Sequence, residues 1–141
     1  MVVIPSEKEE QKALVTRCHN EGIMIISIEN SLQMPINAIL DIVKPYVKSN
    51  QLESIKKQLT RLMSILTSKR YSQGLYKGIC DLFLPEYQLF IEMKKREGGV
   101  VSKEQLECHE RLRNYGYTVV VAKGAAEAWK IIVDKKNKID V

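Results

Sequence analysis

The sequence predicts one α/β domain over residues 1–141, with a mixed central β-sheet flanked by helices on both faces. Three observations carry this reading. Stretches of helical periodicity alternate with short strand-like runs. Two of those runs, Leu82-Phe83-Leu84 and Leu89-Phe90-Ile91, continuing to Met93, are apolar on both faces, as strands between two layers of helices must be. The length of 141 residues suits one hydrophobic core and not two.

The elements follow in order. Ser6-Glu7-Lys8-Glu9 is a capping box, with Ser6 at the N-cap and Glu9 at the third helical position, so a helix runs from there to about Glu21. Glu10, Leu14 and Cys18 recur one turn apart and form its inward stripe. Gly22 stops the helix, Ile23 to Ile28 reads as a strand, and Glu29-Asn30-Ser31 turns. Ile36, Ile39, Leu40 and Val43 have helical spacing up to Pro45. Leu52, Ile55, Leu59, Leu62, Met63 and Leu66 give a second, stronger stripe. Together they form a helical insert over about 35–70. Its polar side carries Lys56, Lys57, Arg61, Lys69 and Arg70, either a solvated face or a surface for phosphates or a second subunit.

The centre of the chain is the hairpin that follows. With its turn near Pro85-Glu86, Asp81 lies opposite the Glu92 and Lys94 end of the second strand. Alternation places Glu92 and Lys94 on one side of that strand. These charges either decorate a solvent face or converge on one patch. Burial of such a trio is costly unless something occupies it, and a divalent cation is the natural occupant. Lys94-Lys95-Arg96 opens a basic glycine loop, after which Ser102-x-x-Gln105 starts another capped helix reaching about Tyr115. Gly116 stops it, Tyr117 to Ala122 is a strand, and a final helix runs from Gly124 to about Val133. Its Ala125, Ala128, Trp129 and Ile132 are core, and the charged tail from Asp134 is expected to fray.

Gly78-Ile79-Cys80-Asp81, Ile91-Glu92-Met93-Lys94, Gly98-Gly99, Ser102-Lys103-Glu104-Gln105 and Gly116-Tyr117-Thr118-Val119-Val120-Val121 occur in this order. The set resembles the virus-type replication-repair nuclease (VRR-NUC) domain, a branch of the PD-(D/E)xK nuclease superfamily. The resemblance is dense over the C-terminal half and extends to the first helix. Cys80 departs from it, standing where the family usually has proline. The resemblance implies a restriction-endonuclease-like core with the helical insert before the catalytic hairpin. It implies a metal-dependent DNA endonuclease in replication, repair or recombination, with selectivity for branched DNA such as a Holliday junction one option and duplex, flap or single-stranded DNA left open. Asp81, Glu92 and the backbone carbonyl of Met93 would hold Mg²⁺ or Mn²⁺, with Lys94 at the attacking water or the phosphorane. An acid of the first helix, best matched by Glu10 with Glu7 in reserve, would complete the metal shell. Gln105 would lie beside it.

Bulk properties narrow the rest. The net charge of +5 is compatible with a polyanionic partner, and Lys77, Lys95 and Arg96 are the candidates for contacting DNA phosphates. No apolar run reaches the length of a membrane span and the N-terminus is too short for a signal peptide, so the expected compartment is the cytoplasm and no membrane partner is expected. Cys18, Cys80 and Cys108 lack a C-x-x-C pairing and read as small buried hydrophobes. A zinc site from Cys18-His19 and Cys108-His109 is disfavoured, because neighbouring helical residues point about 100° apart. The absence of another Cys/His cluster favours a hard cation over zinc. A chain of this size admits a homodimer. Two further readings stay open: a nucleic-acid-binding module that retains the fold without the chemistry, and a protein of another class with a chance match.

Overall fold

The computed structural model describes residues 2–29 and 34–139, and its architecture is mixed α/β. Asn30 and Ser31 of the expected turn lie outside the described residues, as do the last two residues of the tail. The chain divides into two compact units, residues 1–30 with 77–141, and residues 31–76. Among the described residues no helix is long and apolar enough to cross a membrane.

The larger unit is a four-stranded sheet in the order β1-β2-β3-β4, flanked by helices. Helix α1 spans Glu7–Asn20 and has the capping box expected of it: Glu9 N donates to Ser6 Oγ at 3.3 Å and Ser6 N to Glu9 Oε2 at 2.7 Å. Strand β1 is shorter than its apolar run, because only Ile26–Ser27 pair with β2, Leu82–Leu84. The facing strand sets that length, since it is bounded by the bend at Asp81 and by Pro85, which has no N–H to offer a ladder. Asp81 therefore stands just before β2 rather than within it.

A 3-10 turn at Pro85–Tyr87 and a left-handed Gln88 reverse the chain into β3, Leu89–Lys94. The hairpin register pairs Leu82 with Ile91 and Leu84 with Leu89. Strand β4, Thr118–Lys123, lies parallel to β3, and helix α4, Lys103–Asn114, makes the crossover between them. Parallel strands require such a crossover. The last helix, α5, runs over Ala125–Ile139 and so continues through the stretch expected to fray.

Strand alternation sorts the side chains into two layers. Leu82, Leu84, Leu89, Ile91 and Met93 join Leu14 and Cys18 of α1 and Ala128 and Ile132 of α5 in the main core. Phe90 and Val119 point the other way, packing with Cys80, Phe83 and Leu112 on the α4 side. Glu92 and Lys94 alternate in phase with Phe90 and share that α4 side. Gly78 brings the segment before β2 against α4. It has φ +84°, and any Cβ there would collide with the backbone carbonyl of Glu104.

The smaller unit holds the insert. Helix α2 spans Ile36–Val43, a 3-10 turn follows at Lys44–Tyr46, and α3 spans Ser49–Ser72. Leu40 of α2 is buried, while Leu62 and Ile65 of α3 are exposed.

Candidate functional site

Four of the expected site residues meet on the α4 side of the hairpin. Continuing the register one step past Leu82 and Ile91 sets Asp81 opposite Glu92, and the two-residue period carries both side chains to one face. Asp81 Oδ2 accepts from the N–H of Met93 at 2.8 Å. It takes the place of the next ladder bond and ends the pairing there. The N–H and carbonyl of one strand residue point to the same edge, so the Met93 carbonyl also faces the Asp81 side.

Glu92 is 1% exposed and Lys94 8%. Gln105 ties them together. Its Nε2 donates to Glu92 Oε1 at 2.7 Å, and its Oε1 accepts from Lys94 Nζ at 3.1 Å. Lys94 Nζ lies 3.5 Å from Glu92 Oε1. The same Gln105 oxygen accepts from Ser102 N at 2.9 Å, so one side chain caps α4 and braces the charged pair. The glycine loop also closes tightly here, since a Cβ on Gly99 would stand 2.8 Å from Lys94 Cβ.

Burial, and after it the negative charge of Asp81, push the Glu92 carboxyl up to about 8, against the opposing pull of Lys94. The two carboxyls lie in each other's field, with the Lys94 ammonium beside Glu92 and solvent excluded from the Glu92–Lys94 pair. Two acidic side chains with an adjacent backbone carbonyl form a hard-oxygen donor set suited to Mg²⁺ or Mn²⁺.

The far side of Glu92 holds a group that sequence spacing did not reveal. Its Oε2 and His109 Nε2 are 3.8 Å apart, both are fully buried, and neither has a hydrogen-bond partner among the described residues. Cys80 Sγ completes the set, with one ligand atom from each of Cys80, Glu92 and His109 lying within 4.8 Å of the others. This buried group could hold a metal ion. The expectation that no Cys/His cluster exists is therefore corrected. The pairs Cys18-His19 and Cys108-His109 were the natural place to look, whereas the fold combines a cysteine before β2 with a histidine of α4. Burial raises the Cys80 thiol far above its ordinary range and, with Arg113 and Lys94, lowers His109. All three cysteines are buried, as expected.

Glu10 is placed elsewhere. It is 3% exposed, its Oε1 accepts from Arg96 Nε at 2.7 Å and its Oε2 from Ala125 N at 2.6 Å. The stripe of α1 packs against Ile91 and Met93, so Glu10 comes from the layer opposite the one that Glu92 faces. Its carboxylate serves the N-terminus of α5 and an arginine, which satisfies a buried charge without a metal. Glu7 is exposed. Of the three basic candidates, Lys77 pairs with Glu104 at 3.4 Å and Arg96 with Glu10, while Lys95 is exposed.

Comparison of the chain with known protein families, with curated proteins and with solved structures found no match. The functional reading rests on the residues themselves.

Proposed function

We propose that this chain is a metal-dependent DNA endonuclease built on a restriction-endonuclease-like core of the VRR-NUC type. The observation that carries the reading is the meeting of Asp81, Glu92, Lys94 and Gln105 on one face of the β2–β3 hairpin. Asp81, Glu92 and the Met93 carbonyl would hold Mg²⁺ or Mn²⁺. The pair fits such an ion, because burial first and the charge of Asp81 second hold the Glu92 carboxyl up at about 8, and a bound cation would offset both. When bound, the ion supplies an activated water and offsets charge on the phosphorane.

The chain's own groups do the rest. The Lys94 ammonium, oriented by Gln105, stands beside the carboxyls as a fixed positive charge for developing negative charge on phosphate. Gln105 positions both Glu92 and Lys94. Asp81 is only half-buried and marks the side from which a phosphate can approach. Lys95, exposed on the adjoining loop, is the cation best placed for a DNA backbone, and the net charge of +5 favours that encounter. Selectivity for branched DNA and action as a homodimer belong to this proposal.

A second reading has one observation of its own. Glu92 and Lys94 are nearly enclosed, as they would be in a nucleic-acid-binding module whose charged cluster only supports the fold. Incubation of labelled plasmid, linear duplex, flap and four-way-junction DNA with Mg²⁺, Mn²⁺ or EDTA separates the two. Metal-dependent cleavage supports the nuclease, and the best-cut substrate names its selectivity. Binding without cleavage under every metal favours the module.

A further inference from the structure

Glu92 faces two ways. Oε1 is engaged by Gln105 and lies beside Lys94, whereas Oε2 looks inward to His109 and Cys80 and bonds to nothing among the described residues. A buried carboxylate oxygen and a buried imidazole nitrogen, both unpartnered at 3.8 Å, are each costly to leave so. Ligand atoms around a tetrahedral zinc stand roughly 3.3–3.7 Å apart, given its bonds to sulfur, nitrogen and oxygen. The oxygen–nitrogen pair already sits close to that spacing. The set as a whole, within 4.8 Å, closes onto an ion by side-chain rotation of about an ångström.

From this geometry we propose that Cys80, Glu92 and His109 form a buried binding site for a thiophilic divalent metal, zinc foremost. Sulfur and imidazole beside one carboxylate oxygen are a set that such an ion selects, and sulfur and imidazole are ligands that Mg²⁺ avoids. The site differs from the Asp81 side of Glu92 in donor chemistry and in position, being closed off beneath α4. Three protein ligands leave a fourth position for water or a neighbouring group. Elements distant in sequence are joined here, since Cys80 precedes β2, Glu92 lies in β3 and His109 in α4. A metal there ties the hairpin to the crossover helix.

The proposal stands on metal uptake and is independent of whether the chain cuts DNA. The full chain is purified, stripped with chelator under reducing conditions, and titrated with Co²⁺ as a spectroscopic probe and then with Zn²⁺. The expected result is one ion per chain, a thiolate-to-cobalt charge-transfer band with tetrahedral visible bands, and displacement of both by Zn²⁺ but not by Mg²⁺. The band disappears in Cys80→Ser and persists in Cys18→Ser, which alters a buried cysteine of the opposite layer. His109→Gln provides a second loss-of-binding variant should Cys80→Ser fail to fold. Failure of the folded wild-type chain to take up Co²⁺ or Zn²⁺, or a thiolate band that survives Cys80→Ser, overturns the proposal.

Discussion

Gln105 donates from Nε2 to Glu92 Oε1 at 2.7 Å and accepts at Oε1 from Lys94 Nζ at 3.1 Å, so one neutral amide fixes two buried groups of opposite charge. Its removal leaves Glu92 and Lys94 each short of a partner. Gln105→Ala should therefore destabilise the chain by about 1–3 kcal/mol, read as a lower urea midpoint at unchanged slope. Helix α4 persists, because the Ser102 hydroxyl still accepts from the backbone N–H at 105. A midpoint that does not move would deny the amide its bracing role.

The Glu92 carboxyl gives a pH signature. In the metal-free fold it titrates at about 8, above its ordinary value of 4.5. A folded-state value raised above the unfolded one stabilises fully below the lower value, and that contribution is lost as pH rises through the higher one. Between about pH 5 and 8 the metal-free chain should lose on the order of a few kcal/mol from this group. Glu92→Gln carries no such titration, and its stability should fall less over the same window. Parallel stability–pH curves for the two chains would contradict the assignment.

Glu10 is predicted to act on the fold and not on the chemistry. Glu10→Ala leaves the Ala125 N–H uncapped and Arg96 unpaired, costing about 1–3 kcal/mol in thermal or urea unfolding. Cleavage per folded molecule and its Mg²⁺ dependence should be unchanged. Abolished cleavage in a fully folded variant would return Glu10 to the metal shell.

Gly78 sets the approach of the Cys80-Asp81 segment to α4. Gly78→Ala meets both a positive φ and the Glu104 backbone, a combination that should cost more than about 2 kcal/mol. Calorimetry on the purified variant checks it, and a melting temperature near that of the wild type would refute the close packing.

Much of this architecture was legible because it is local. Ser6 with Glu9 and Ser102 with Gln105 announce their helix starts within four residues, and the turn after Pro85 fixes the facing of Asp81 and Glu92. Two-residue alternation then placed Lys94 with Glu92. What escaped was long-range. The Glu10 stripe identifies the inward side of α1 but not which layer of the sheet it covers, so its distance from Glu92 could not be read. Cys80 and His109 approach only because the bend at Asp81 and the packing of α4 bring them to the same carboxylate. Ile23 to Ile28 has the apolar content of a full strand, yet its pairing is limited by the three-residue partner β2.

The proposed nuclease assigns phosphodiester hydrolysis with a divalent metal to the Asp81–Glu92–Lys94 cluster. The most direct measurement is the single-turnover cleavage rate of duplex or junction DNA in Mg²⁺ for the wild-type chain and for Lys94→Ala, alongside circular dichroism and DNA-binding affinity. Metal-dependent cleavage by the wild type is expected, with a loss of at least about a hundredfold in the variant while fold and binding are largely retained. Equal cleavage by both proteins, or none by a folded, DNA-bound wild-type chain under Mg²⁺ and Mn²⁺, would contradict it.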